Sequence, residues 1–286
     1  MIQGVRLAPE AVPEGWFREL ARGLEPSTQK PAADRDLWLL AAGSAWIAVG
    51  LAGGLTVVGW WLIRGRLRQL QDSSPPPLQR AWFLFVSWQL MAMLVTPALV
   101  GLAGPSAGIR TGVAVQLALY ALGWAMIRFF TGPLHPTLRG FGQGLAAYWV
   151  ASLGVWTSAR LIEMLTGEPL VSGNPALDMF RDPQPGALIW LGVLVVLAGP
   201  WFEELLFRGL VYRALRPAAG RWGAAVISAA LFAVAHGDPS GLLPYLVLGI
   251  IFAQTVELTG SVFPAFVAHG LFNGQTYLLL CLLSAG

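Results

Sequence analysis

The fold class this sequence predicts is all-α: a polytopic integral membrane helix bundle with about eight transmembrane segments. Three observations predict it. Of 286 residues, 56% are hydrophobic and 12% charged, against about 45–50% and 25% in ordinary soluble domains, and the mean hydropathy is positive. The apolar residues gather into runs of roughly 20, the length a helix needs to cross a bilayer. The runs are separated by helix-ending Pro and Gly clusters: Ser73-Ser74-Pro75-Pro76-Pro77, Gly104-Pro105-Ser106, Gly132-Pro133 to Pro136, and Asp182-Pro183-Gln184-Pro185-Gly186.

In chain order, residues 1–36 form a polar arm. Trp16, Phe17, Leu20 and Leu24 fall on one helical face, Arg18, Glu19 and Arg22 are interspersed, and Pro13 suits a first turn. This is the pattern of a helix lying on the membrane surface; a solvated arm packed on nearby loops fits equally well. Met1 to Gly15 lack the layout of a cleaved signal peptide, so the first span is expected to direct insertion. Residues 37–286 form the bundle, with segments expected near 37–63, 81–104, 111–131, 141–166, 187–215, 222–236, 241–259 and 261–283.

Charge sets the expected orientation in the cell (cytoplasmic) membrane. Arg64, Arg66, Arg68 and Arg80 flank the first connection, Arg128 and Arg139 the third, and Arg213, Arg216 and Arg221 the fifth, which places odd-numbered connections in the cytoplasm. The arm carries five basic and six acidic residues, so it opposes that rule, and a re-entrant segment is the alternative. The net charge of +3 is read as topology and headgroup contact; no basic face interleaved with aromatics points to nucleic acid. The single cysteine, Cys281, allows no intramolecular disulfide.

Three of the apolar segments carry charged or polar groups, each costing roughly 2.5–3.5 kcal/mol for a charge at mid-bilayer. The first is Phe202-Glu203-Glu204-Leu205-Leu206-Phe207-Arg208. Residues four apart share a helix face, so Glu204 is expected to pair with Arg208, while Glu203 points about 100° away and is left for chemistry in a water-filled cavity. Pro200 is expected to kink the chain just ahead of them. The second is Phe232 to His236, and the third His269 to Asn273, whose spacing puts two donors on one face, as an oxyanion site requires. His135, in a loop, has no partner pattern and reads as a surface residue.

The ordered set Glu-Glu-x-x-x-Arg, Phe-x-x-x-His and His-x-x-x-Asn resembles the CPBP family of CAAX prenyl proteases and bacteriocin-processing enzymes, also called Abi proteins. The match covers the core at about 187–280. The resemblance implies a glutamic-type intramembrane endopeptidase. Glu203 would be general base on a water and His236 would hold that water. His269 with Asn273 would stabilise the oxyanion, and Glu204 with Arg208 would hold the geometry. It also implies a membrane-associated protein or peptide substrate, with or without a lipid, and no cofactor. Zinc held by Glu203, Glu204, His236 and His269 is the enzymatic alternative, although no H-E-x-x-H is present. A non-proteolytic scaffold, immunity factor or proton-relay transporter is the alternative from another class.

Overall fold

The computed structural model describes residues 75–103, 108–128, 131, 136–167, 170 and 186–284. The arm at 1–36, the first expected segment at 37–63 and His135 lie outside them. Among the described residues the chain is helical with no strand: α1 Leu78–Ala103, α2 Gly108–Ile127 and α3 Leu138–Thr166 precede the long path that carries the first motif. α3 starts on Thr137, whose side chain accepts from the Gly140 amide at 2.9 Å, and ends at Gly167.

The path from Ala187 to Ala235 is not one regular helix. α4 (Ala187–Gly192) runs into a π-helical turn at Val193–Ala198, then α5 (Gly199–Glu204), a second π-helical stretch at Leu205–Tyr212, and α6 (Arg213–Ala235). The first π turn has a local cause. Pro200 has no amide hydrogen, and the Gly199 amide bonds to Leu194 O, so Val195 O receives neither of the backbone donors that would normally follow it.

α6 is broken at Gly220, whose backbone (φ 69, ψ 178) suits glycine and ends the helical path three residues after Pro217. The chain folds back there: Ser228 Oγ donates to Phe207 O at 2.9 Å, and the Phe207 and Phe232 rings meet edge to face at 5.2 Å. The expected segments 187–215 and 222–236 are the two arms of this hairpin.

α7 (Leu242–Thr259) and α8 (Phe263–Ser284) complete the bundle. α7 crosses the returning arm of α6 so closely that a Cβ at Gly249 would stand 2.5 Å from that of Ala229. Leu188–Ala235, Leu242–Thr259 and Phe263–Leu282 are long and apolar enough to cross a membrane, and Thr111–Ile127 is a shorter apolar helix. The core joins Phe85 and Trp88 of α1, Leu119 of α2, Tyr148 of α3, Phe202 to Leu210, Phe232, Phe252 and Ala268, which fixes the three motifs against one another.

Candidate active site

Glu204 and Arg208 are fully buried and bonded, Arg208 Nη1 to Glu204 Oε1 at 2.8 Å. The spacing of four survives the π-helical stretch that begins at Leu205. Arg208 Nη2 also donates to Gly249 O at 3.3 Å, the carbonyl that the close helix crossing brings within reach. The guanidinium lies over the ring of Phe232 at 4.4 Å and near those of Phe252 and Phe207 at 5.3 and 5.8 Å, so aromatic faces supply part of the solvation that burial removes.

His269 reaches this pair from α8: its Nδ1 lies 2.9 Å from Glu204 Oε1, to which it donates. Its ring is stacked on Phe252 at 5.1 Å and its side chain is 3% exposed. His236 sits just past the end of α6. Its Nδ1 is 2.7 Å from Phe232 O, and since a carbonyl only accepts, that nitrogen carries the hydrogen. Phe232 and Tyr245 hold the imidazole from two sides, with centroids at 4.4 and 4.2 Å.

Glu203 stands apart from the closed network. Its side chain is 23% exposed, and its Oε2 lies 4.0 Å from His236 Nε2 and 3.8 Å from His269 Nε2. Those separations are too long for direct hydrogen bonds, and Oε2 has no partner in the protein. Three polar atoms from three elements therefore converge on a point between them. Each imidazole turns its Nε2 toward that point because its Nδ1 is held elsewhere.

Asn273 follows His269 by one turn on α8, but its Nδ2 donates to Val195 O at 2.8 Å. It replaces the amide hydrogen that Pro200 lacks. One of its two N–H bonds is thus committed to backbone and the other is available. The structure brings Glu203, Glu204, Arg208, His236 and His269 into direct contact or within 4.0 Å of one another, and sets Asn273 at the neighbouring π turn.

In front of Glu203 and His236 lies a cavity of about 300 Å³ whose far wall is built by Trp88, Gln89, Ala92 and Met93 of α1 and Gln116 and Tyr120 of α2. These residues carry no motif spacing, and only the tertiary fold assembles them; Gln89 and Gln116, each within an apolar stretch of its helix, are the signal that sequence offered. Among the described residues no group of three or more His, Cys, Asp or Glu side chains is arranged to hold a metal ion.

Residues 185–275 match the family model described as type II CAAX prenyl endopeptidase Rce1-like. A Bacillus subtilis (strain 168) protein named "Putative membrane peptidase YdiL" is 24% identical to this chain over 188 residues. That match covers 64% of this chain and 66% of the relative, just under two thirds of its length. No solved structure matches the chain significantly. The apolar helices and the named membrane relative agree on an integral membrane protein, and the segment similar to the Rce1-like endopeptidases is the one that holds all seven motif residues.

Proposed function

We propose that this protein is a glutamate-dependent intramembrane endopeptidase that cleaves a membrane-associated peptide or protein, of the CAAX type, in the cell membrane through a bundle of about eight spans. The observation that carries the reading is the unpartnered Glu203 Oε2 facing two imidazole Nε2 atoms at 3.8 and 4.0 Å, at the edge of a cavity. A water between them donates one proton to Glu203 and a second to an imidazole lone pair. Glu203 takes the first proton as the water oxygen adds to the scissile carbonyl, and returns it to the departing amine as the C–N bond breaks. The free N–H of Asn273 and Nε2 of His269 are the nearest candidates to stabilise the tetrahedral oxyanion. For His269 to donate from Nε2 it must carry both protons, and Glu204 holds the Nδ1 one.

One observation favours a second reading. Two imidazoles oriented through their Nδ1 atoms, with a carboxylate beside them, are also how zinc ligands are commonly prepared. Tetrahedral zinc at 2.0–2.1 Å needs ligand-to-ligand edges of about 3.4 Å, against the 3.8 and 4.0 Å here, so the first reading fits the geometry with less movement.

The test is cleavage of a farnesylated, internally quenched CAAX peptide by protein purified in detergent. Glu203→Gln should reduce the rate by about 10²–10⁴-fold with the melting temperature unchanged. Activity should survive prolonged chelation. Loss on chelation with recovery on adding zinc would establish the metal reading, and a fully active Glu203→Gln protein would end the protease reading.

A further inference from the structure

We infer that Tyr120, on α2 and outside the three motifs, is a positioning residue for Glu203: its hydroxyl holds one carboxylate oxygen so that the other faces His236 and His269. This rests on Glu203 being the base. The two oxygens of Glu203 occupy different surroundings. Oε2 is the atom nearest the imidazoles and has no partner in the protein. Oε1 and the Tyr120 hydroxyl both flank Gly199: a Cβ built there would stand 3.6 Å from Glu203 Oε1 and 3.7 Å from Tyr120 Oη. Tyr120, Gln116 and Glu203 line the same cavity. A carboxylate only accepts, so the phenol is the partner with a hydrogen to give Glu203, and the Gln116 amide can donate to the phenol oxygen in turn.

The ring is itself fixed. Tyr120 is stacked on Phe202 at 5.0 Å and 23°, and on Trp88 at 6.0 Å and 28°, and Phe202 is the residue before Glu203 in sequence. The same aromatic stack therefore ties α1 and α2 to the helical turn that presents the base. Glu203 has a long side chain in a partly open cavity, where several rotamers are accessible without an anchor. A base that points elsewhere for most of the time lowers turnover rather than affinity, because the substrate contacts are unaffected.

The test is Tyr120→Phe, which keeps the ring in its stack and removes only the hydroxyl. With the farnesylated CAAX reporter in detergent, kcat should fall by about 10–100-fold, the cost of small misplacements of a catalytic group. KM should stay within about twofold, since uniform binding is untouched, and the melting temperature should not change. Gln116→Leu, one bond further from the base, should show the same split with a smaller loss. An unchanged kcat overturns the inference. So does a raised KM at constant kcat, which would make Tyr120 a substrate contact, or a fall in activity that tracks a fall in melting temperature or yield. Failure of the protease reading is separate: there the wild type leaves the reporter uncut, or Glu203→Gln cleaves it normally.

Discussion

Glu203 and Glu204 are adjacent in the chain and identical in chemistry, yet one belongs to a closed region and the other to an open one. Glu204 is fully buried, bonded by Arg208 at 2.8 Å and by His269 at 2.9 Å. Glu203 is 23% exposed at a cavity, with an oxygen that no protein group satisfies. The difference comes from helical geometry alone: a rotation of about 100° per residue turns one carboxylate into the core and the other toward water. Each acid keeps one carboxylate oxygen, Oε2, without a hydrogen-bond partner, so in an apolar bundle the surroundings sort them: the acid sealed in the core beside a cation holds the fold, and the acid bordering a cavity is open to a ligand.

The sharpest way to break that comparison is Glu204→Gln. The amide keeps the shape but leaves the buried Arg208 without a counter-charge, for which the cost is about 3–5 kcal/mol. The aromatic faces at 4.4 to 5.8 Å soften this only in part. The expected outcome is a lower melting temperature and poor yield in detergent, whereas Glu203→Gln melts like the wild type. A Glu204→Gln protein that is stable and inactive would show that both acids take part in the chemistry and that burial does not separate their roles.

What was legible in the sequence follows from the range of the interactions concerned. Glu204 with Arg208, and Phe232 with His236, are four residues apart, and helical periodicity pairs them before any tertiary contact is known. The turn at Gly220 falls in the gap expected between segments 187–215 and 222–236, where Arg216 and Arg221 interrupt the apolar runs. The bond from His269 to Glu204 joins residues 65 apart, and that from Asn273 to Val195 joins residues 78 apart. A reading by helix faces joined His269 to Asn273 instead, because neighbouring donors on one face are all that spacing can report. The π-helical turns escaped for a related reason: Pro200 announced an irregularity, but the missing hydrogen bond that defines it appears only when each carbonyl is followed to its donor. Tyr120 was marked only by Gln116 four residues earlier on the same face of α2, a spacing that does not say which distant residue the face meets.

Asn273 allows the comparison to be sharpened, because it is half-buried, one turn from His269, and bonds a backbone carbonyl with one of its two N–H groups. Asn273→Ala removes the donor from Val195 O, and an unsatisfied buried carbonyl costs about 1–3 kcal/mol. If its second N–H also meets the oxyanion, the rate falls by a further factor of about 10²–10³. The two effects separate in a double variant. Pro200→Ala restores an amide hydrogen near Val195 O, so Asn273→Ala with Pro200→Ala should regain melting temperature relative to Asn273→Ala alone. Activity should not return with it. Recovery of both together would assign Asn273 to the backbone of the π turn and remove it from the chemistry.

Ser228 supplies the control for that experiment and the smallest effect. Like Asn273, it is a side-chain donor to a carbonyl of the same irregular path, Phe207 O at 2.9 Å, and it is fully buried. Unlike Asn273, it lies outside the three motifs: it joins the two arms of the hairpin beside the edge-to-face contact of Phe207 and Phe232. Ser228→Ala should therefore lower stability by about 1 kcal/mol, the usual net worth of one hydrogen bond, and leave kcat where it was. Measured beside Asn273→Ala, it compares the same bond type on the two sides of the site. A kcat loss in Ser228→Ala larger than its stability loss would mean that the hairpin sets the aromatic surroundings of Arg208 finely enough to reach Glu203 through Glu204 and His269. The closed region would then be tuning the open one rather than merely supporting it.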